Sequence, residues 1–174
     1  MPPPSFDVPI NHRLSLRRLT SSIAATIVEN SRPRTGWAPD FPAEGDLAVA
    51  RMVATSTNTL DVEGLRPWSG PWLIVEEGNV IGGVGFMGAP ENGALEVGYG
   101  IVPSARGRGV ATIAVAKLIE LAGQAVPLIV AETTVTNVAS HGVLRRLRFL
   151  ESGRRFDKGD GDLIVWSRAT FPGS

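Results

Sequence analysis

The chain has 174 residues, enough for one domain with a sizeable hydrophobic core. Hydrophobic residues make up 43% of it and charged residues 20%, a composition that excludes a disordered or collagen-like chain. Its 17 basic residues balance its 17 acidic ones, so it lacks the global positive field that drives sequence-independent binding to nucleic acid.

Several kinds of site are excluded by what the sequence lacks. Without cysteine, the chain has no disulfide, no thiolate metal site and no cysteine nucleophile. Its two histidines, His12 and His141, argue against a histidine-rich metal site. No basic and apolar leader opens the sequence, and no apolar stretch reaches the roughly 18 residues of a membrane span. We therefore expect a single domain over residues 1–174 that is cytoplasmic, metal-free and without a nucleic-acid or membrane partner, with residues 1–11 as a loosely ordered lead.

The N-terminal half carries the patterns of strands and helices that alternate with Pro-rich connections. Leu14, Leu16 and Leu19 alternate with polar residues, as in a half-buried strand. Glu77, Gly78 and Asn79 separate two β-rich runs, which predicts a hairpin whose turn relies on Gly and Asn. In chain order, we expect a strand at 14–19, a helix at 22–30, an irregular loop at 31–42, a helix at 44–54 and hairpin strands at 72–75 and 80–87.

The C-terminal half carries the patterns of four further strands and two helices. The helix at 110–122 is apolar almost all round, so we expect it to be largely buried against the sheet. Asn137 can cap a second helix that runs to about residue 147. The strands are expected at 94–102, where Pro103 limits continuation, at 128–131, and at 149–156 and 163–167.

A turn rich in glycine and arginine, residues 106–109, separates the strand at 94–102 from the apolar helix. This glycine–arginine turn and the first helical residues are Arg106, Gly107, Arg108, Gly109, Val110, Ala111 and Thr112. A helix N-terminus presents four unpaired backbone N–H groups and the positive end of the peptide dipoles, so it stabilises a phosphate. Gly107 and Gly109 allow the backbone to turn tightly and approach an anion, while Ala111 keeps the first helical turn clear.

The glycines in this part of the chain have to be compared with three known phosphate-binding motifs. The Walker A motif is absent because no Gly-Lys-Ser/Thr occurs. The dinucleotide fingerprint occurs at Gly83, Gly85 and Gly88, but a turn and another strand follow it, whereas that fingerprint must open a helix. The third pattern, Gln/Arg-x-x-Gly-x-Gly/Ala, is that of the pyrophosphate loop of GNAT acetyltransferases, and it is met by Arg106, Gly109 and Ala111.

Two further blocks agree with that family in order and spacing. They are the strand LEVGYGIVP before the turn, and Asn137, Ser140, Val143 and Phe149 in NVASHGVLRRLRF behind it. From about residue 14 to residue 168 the chain resembles the GNAT N-acetyltransferases, in particular the subgroup of the ribosomal-protein alanine N-acetyltransferases. The resemblance implies a mixed α/β fold with a twisted, mostly antiparallel central sheet, a V-shaped opening and helices on both faces.

The resemblance also implies acetyl-CoA as the cosubstrate, bound where two neighbouring strands splay apart. Its pantetheine arm would pair with the strand backbone, and its pyrophosphate would accept hydrogen bonds from the start of the helix. The cofactor-binding residues implied in this way are Ile101, Val102, Arg106, Gly107, Arg108, Gly109, Val110, Ala111, Thr112 and Asn137.

The implied reaction is direct transfer of the acetyl group to a primary amine. It requires a base for the ammonium, donors for the tetrahedral oxyanion and an acid for the departing thiolate. Strand alternation places Glu96 beside Gly98 and Gly100, a face that we call the glycine face. The resemblance gives Glu96 the role of general base and Ser140 that of acid. Structural alternatives stay open, namely a carboxylate bonded to a loop for Glu96 and helix capping for Asn137 and Ser140.

Two other groups of residues have both a functional and a structural interpretation. Trp37 and Phe41 lie in the loop that the family uses near the acceptor, so they are the implied substrate-binding residues, yet such aromatics also pin loops to the core. Five arginines could meet the CoA 3′-phosphate or an acidic partner, or form a solvated surface. They are Arg145, Arg146, Arg148, Arg154 and Arg155. Arg148 departs from the family, in which a glycine usually precedes the phenylalanine.

The sequence leaves the acceptor unnamed, since a protein N-terminus and a small-molecule amine both offer a nucleophilic nitrogen. It also leaves the oligomeric state open, with a homodimer among the options. Two other functions stay open at this point. One is a non-catalytic acyl-CoA-binding module or sensor with the same fold, and the other is an interaction protein whose glycine–arginine turn binds nothing.

Overall fold

The computed structural model describes residues 7–29, 34–55, 70–123 and 126–170. These ranges contain eight strands, which are β1 (Asp7–Pro9), β2 (Leu14–Arg18), β3 (Trp72–Glu76), β4 (Asn79–Phe86), β5 (Ala94–Ile101), β6 (Leu128–Thr134), β7 (Leu150–Asp157) and β8 (Gly161–Ala169). They also contain four α-helices, which are α1 (Ser21–Glu29), α2 (Glu44–Thr55), α3 (Val110–Ala122) and α4 (Val138–Arg146). None of these helices is both long enough and apolar enough to cross a membrane.

All eight described strands form one sheet with the order β1-β2-β3-β4-β5-β6-β8-β7. Neighbouring strands are antiparallel except β5 and β6, which are parallel and pair only from Ala94 with Leu128 to Glu96 with Val130. Beyond these pairs β5 continues to Ile101 and β6 to Thr134 without partnering each other. The sheet therefore opens into a V between β5 and β6, which confirms the expected mixed α/β fold.

The hydrophobic core lies between the sheet and its helices. Fully buried side chains come from the strands and from all four helices, and they include Leu16, Ile74, Ile129, Trp166, Ile27, Ala50, Leu118 and Leu144. The indole Nε1 of Trp166 donates to Thr133 Oγ1 at 2.9 Å, so the largest of these side chains also has its polar atom satisfied. Helix α3 is less buried than predicted, because Ile113, Ala116 and Glu120 are exposed on its outer face.

The N-terminal lead is partly a strand, which corrects the expectation for residues 1–11. Residues 7–9 form β1 and pair with β2, from Asp7 with Arg17 to Pro9 with Ser15. The guanidinium of Arg17 donates to both carboxylate oxygens of Asp7, at 3.0 and 2.8 Å. A three-residue strand carries no alternation that a sequence pattern could detect, and residues 1–6 lie outside the described ranges.

Most other elements match their predicted bounds within a few residues. Strand β6 is longer than predicted, since it continues to Thr134. The predicted helix end at Asn30 and the predicted loop start at 31–33 lie outside the described residues. The β3–β4 turn places Glu77 and Gly78, rather than Gly and Asn, at positive φ, with values of 48° and 84°. Positive φ at two successive residues is the geometry of a tight two-residue hairpin turn.

The end of α4 shows why glycine would suit the position of Arg148. Arg148 has a φ of 62°, in the left-handed region that glycine adopts without steric cost. Its N–H donates to Arg145 O, and Phe149 N–H donates to Leu144 O, both at 3.0 Å. These bonds close the helix as a left-handed C-terminal cap in which glycine is the preferred residue.

We expect Arg148→Gly to raise the free energy of unfolding by about 1 kcal/mol, because it removes the contact of Cβ with the backbone in the left-handed conformation. Urea denaturation followed by circular dichroism measures this change. Arg146→Gly is the matched control, since it places glycine inside α4 and should lower stability by up to about 1 kcal/mol. A loss of stability in Arg148→Gly would contradict this account of the cap.

Candidate active site

The glycine–arginine turn leads directly into α3. Gly107 and Gly109 both have a φ of 77°, so both use the left-handed conformation. Gly109 is the N-cap of α3 and has no side chain that could cap it. The N–H groups from Gly109 to Thr112 therefore lack an acceptor within the helix. A Cβ built on either glycine would meet no atom within 4 Å, so the space beside the turn is open.

The first turn of α3 adds one polar atom to this region. Thr112 Oγ1 is buried and has no hydrogen-bond partner among the described residues. A buried hydroxyl without a partner is uncommon, since leaving one unpaired costs about 1–3 kcal/mol. The unpaired N–H groups and the positive end of the helix dipole suit an anion bound at this helix start.

Both arginines of the turn are held by acceptors within the chain. Arg106 Nε donates to Ile101 O at 2.9 Å. Arg108 Nη1 and Nη2 lie 2.9 and 2.7 Å from the two carboxylate oxygens of Glu76, whose side chain is only 13% exposed. Glu76 lies 32 residues away at the end of β3, so no local sequence pattern indicates this pair.

The register of β5 shows which of its backbone groups face the V. Met87 N–H donates to Glu96 O at 2.8 Å, and Val102 N–H donates to Ile81 O at 3.0 Å, so these residues direct their bonds toward β4. Because antiparallel pairing alternates, Tyr99 and Ile101 direct their N–H and C=O groups to the other side, where β6 has diverged. They form the open edge of β5 along the V.

Val102 differs from its predicted assignment. Its N–H is used by Ile81 O, its C=O accepts from Ala105 N–H at 3.0 Å, and its side chain is fully buried. Tyr99, which was not among the predicted residues, directs its backbone groups to the open edge beside Ile101. Of the Ile101 groups, the carbonyl already accepts from Arg106.

Glu96 is half-buried on the glycine face of β5. Burial raises the pKa of Glu96, and Glu132 raises it further, while Arg155 lowers it. Arg155 itself donates to Glu132 at 2.7 Å. In the described part of the chain the Glu96 side chain has no hydrogen-bond partner, so the alternative of a carboxylate bonded to a loop finds no support there. A half-buried carboxylate with a raised pKa beside an opening suits a general base.

Helix α2 brings a second carboxylate, Asp46, to the glycine face. Asp46 Oδ1 lies 3.6 Å from the position of a Cβ on Gly83, the β4 partner of Gly100. Its Oδ2 accepts from Ala43 N–H at 2.9 Å, and burial raises the pKa of Asp46. A Cβ on Gly100 would meet nothing within 4 Å. The glycine face is thus open at Gly100 and carries carboxylates along its length.

The start of α4 lies across the V from β5. Asn137 Oδ1 accepts from Ser140 N–H at 3.2 Å, so the predicted cap is present. Tyr99 Oη donates to Ser140 O at 3.4 Å, which links β5 to α4 beside the Ser140 side chain. The buried His141 places its Nε2 3.1 Å from Thr134 O, so its ring is engaged away from Ser140 and forms no hydrolase dyad with it.

The loop before α2 holds the two predicted substrate-binding aromatics in different ways. Phe41 is 2% exposed and packs edge-on against Trp37 with ring centroids 5.2 Å apart, so it pins the loop to the core. Trp37 is half-buried and lines a cavity of about 380 Å³ together with Glu76, Ser104 and Arg108. Only Trp37 therefore keeps surface at which a ligand could bind.

The same loop is hydrogen-bonded both to β4 and to the segment that precedes the glycine–arginine turn. Ala38 N–H donates to Val80 O at 2.9 Å, and Val80 N–H donates to Gly36 O at 2.8 Å. The carboxylate of Asp40 accepts from Ser104 N–H at 2.8 Å and from Ser104 Oγ at 2.6 Å. These hydrogen bonds lower the pKa of Asp40.

Three of the five C-terminal arginines have acidic partners on the surface. Arg155 pairs with Glu132, while Arg145 and Arg154 lie 3.7 and 3.6 Å from Glu151. Exposed pairs of this kind favour the interpretation of a solvated surface over a dedicated phosphate site.

Comparison with known proteins agrees with this geometry. A family model for the acetyltransferase (GNAT) domain matches residues 13–150. An uncharacterized N-acetyltransferase, p20 of Bacillus licheniformis, is 31% identical over 158 residues, which cover 87% of this chain and 88% of the relative. Another, YjdG of Bacillus subtilis, is 37% identical over 84 residues, which cover 45% of this chain and 50% of that relative, so this match spans about half of each.

Among solved structures, the ribosomal L7/L12 α-N-protein acetyltransferase RimL in complex with coenzyme A has a similar fold. Its TM-score is 0.66 at 21% identity, and the match covers 94% of this chain and 97% of that one. The family match spans most of the chain and includes β5, the glycine–arginine turn and the start of α4. On this evidence the chain belongs to the GNAT family of acyl-CoA-dependent acetyltransferases.

Proposed function

We propose that the protein transfers the acetyl group of acetyl-CoA directly to a primary amine. The observation that carries the proposal is the uncapped start of α3, whose free N–H groups stand where the sheet opens between β5 and β6. An anion-binding helix terminus next to an unpaired strand edge suits a ligand with a diphosphate at one end and an amide-rich arm behind it.

The coenzyme would be held largely by the main chain. The pyrophosphate accepts from the N–H groups of residues 108–112, and Thr112 Oγ1 supplies a further donor. The pantetheine arm pairs with the open edge of β5 at Tyr99 and Ile101. Asn137 contributes its side-chain N–H groups, since its Oδ1 is already used by Ser140 N–H.

Glu96 and Ser140 would carry the proton transfers. The amine must lose a proton to attack the thioester carbon, and Glu96 accepts it directly or through water. The raised pKa of Glu96 makes it a stronger base than an ordinary glutamate. The tetrahedral intermediate then collapses with loss of the thiolate, which takes a proton from the Ser140 hydroxyl. The second proton that the nitrogen loses on becoming an amide returns to Ser140.

The glycine face supports a cationic acceptor. Asp46 and Glu96 lie along it, and the position above Gly100 is open. Trp37, in the loop before α2, is partly exposed and lines the cavity beside Arg108. Carboxylates attract an ammonium group, and glycines leave room for a chain behind it. RimL is named for modification of a ribosomal protein at its α-N position, which supports a protein N-terminus as the acceptor, alongside the amine of a small molecule.

We expect Gly109→Glu to weaken binding of CoA at least about tenfold, because its carboxylate would repel the pyrophosphate. Isothermal titration calorimetry measures this loss. Gly109→Ala is the matched control, since it introduces the same backbone strain at a φ of 77° without a charge, and it should bind much more tightly than the glutamate variant. Equal affinity of Gly109→Glu and the wild type would refute the assignment of this turn.

We expect Glu96→Gln to lower kcat by about 10²–10⁴-fold while the Kd for acetyl-CoA stays unchanged. In the wild type, kcat/KM for the amine should rise with pH through the raised pKa of Glu96, because only the carboxylate form can accept the proton. This limb should disappear in Glu96→Gln. Release of the CoA thiol across a panel of amines provides the rate.

The exposed Glu91 offers a control with the same chemical change just before β5. Glu91→Gln should keep both the rate and its pH dependence. A normal rate for Glu96→Gln at every pH would remove Glu96 from the mechanism.

A further inference from the structure

We infer that Glu76 is a positioning residue for the coenzyme: it holds Arg108 and so fixes the main-chain N–H groups that bind the pyrophosphate. On this inference Arg108 is not a phosphate ligand. The inference rests on the coenzyme site proposed above, and it adds the residue that gives that site its shape.

The turn needs an anchor because of its own sequence. Arg108 stands between Gly107 and Gly109, both with a φ of 77°. Glycine is the most mobile residue of the backbone, so ordering two of them at an anion site carries an entropic cost. A side-chain tether at the residue between them restricts both at once.

The Arg108–Glu76 pair has the geometry of such a tether. Two nitrogens of one guanidinium meet two oxygens of one carboxylate at 2.9 and 2.7 Å, a bidentate arrangement that fixes orientation as well as distance. The Glu76 side chain is 13% exposed, whereas that of Arg108 is 45% exposed. The more buried carboxylate of Glu76, at the end of β3, is therefore the anchor, and it restricts the more exposed Arg108.

Two neighbouring contacts serve the same segment. Arg106 Nε binds Ile101 O, and Asp40 binds both the N–H and the hydroxyl of Ser104. Residues 104, 106 and 108 are thus each tied to the body of the protein by a side-chain contact. With both Nη groups of Arg108 on Glu76, the donors that residues 108–112 leave for a diphosphate are chiefly the N–H groups of the main chain.

A competing arrangement would have Arg108 leave Glu76 and move to a phosphate when the coenzyme binds. Glu76 would keep a counter-charge in that case, because Arg13 Nη2 lies 3.7 Å from its Oε1. The two arrangements predict opposite effects of removing the Glu76 charge. Removing the Glu76 charge releases Arg108. Coenzyme binding would then improve if Arg108 were a phosphate ligand, and would weaken if Arg108 were a tether of the turn.

The test compares Glu76→Gln, Arg108→Gln and the double variant by calorimetry with acetyl-CoA and with dephospho-CoA, which lacks the 3′-phosphate. We expect each single change to raise the Kd about tenfold and the double change to raise it no further, because both break one tether. The loss should be equal for the two ligands. The KM for acetyl-CoA should rise while kcat at saturation stays within about twofold of the wild type.

Glu77→Gln is the matched control, since Glu77 is the adjacent, 62% exposed glutamate and pairs only with Arg13 among the described residues. It should bind both ligands like the wild type. Glu76→Asp carries the test if Glu76→Gln fails to fold, because it keeps the charge beside Arg13 but shortens the side chain that reaches Arg108. It should weaken binding if Arg108 is tethered, and leave binding unchanged or tighter if Arg108 is a phosphate ligand.

Unchanged or tighter binding by Glu76→Gln, additive losses in the double variant, or a loss confined to the ligand with the 3′-phosphate would each overturn the inference while the proposed function stands. A wild-type protein that binds neither ligand would instead overturn the proposed function, and the inference with it.

Discussion

Among the four described α-helices, α3 is the one whose start no side chain caps, and the proposed coenzyme site depends on it. Thr20 Oγ1 accepts from Ile23 N–H at α1, Asp46 binds Ala43 N–H at α2, and Asn137 binds Ser140 N–H at α4. At α3 the N-cap is Gly109, which has no side chain. Main-chain donors left free in this way are satisfied by a ligand or by water, and the open space beside the two glycines leaves room for a ligand.

The sheet brings this terminus to a second open feature. Strands β5 and β6 pair over three residues only, so the edge of β5 beyond Glu96 has no partner strand. Its register directs the backbone N–H and C=O groups of Tyr99 and Ile101 into the gap. On the glycine face, Glu96 of the same strand and Asp46 of α2 have raised pKa values because burial disfavours their charge. The proposed anion site, the open strand edge and the proposed base thus belong to one strand and the turn that follows it.

Local patterns made much of this predictable from the sequence. Alternation and helical spacing gave most elements, and the spacing of Arg106, Gly109 and Ala111 identified the turn, because these signals depend on neighbouring residues. Features that depend on distant segments were missed. Glu76 meets Arg108 across 32 residues and Tyr99 meets Ser140 across 41, while the outward direction of Tyr99 rather than Val102 follows from strand register. Phe41 was assigned to the acceptor although it is buried in the core, since an aromatic residue in a loop has the same sequence signal in either role.

A crystal structure of the protein with coenzyme A tests the central claim most directly. The account predicts pyrophosphate oxygens at about 3 Å from main-chain nitrogens of residues 108–112, with the pantetheine arm along Tyr99 and Ile101. A coenzyme whose diphosphate lies elsewhere, with the start of α3 left empty, would contradict it.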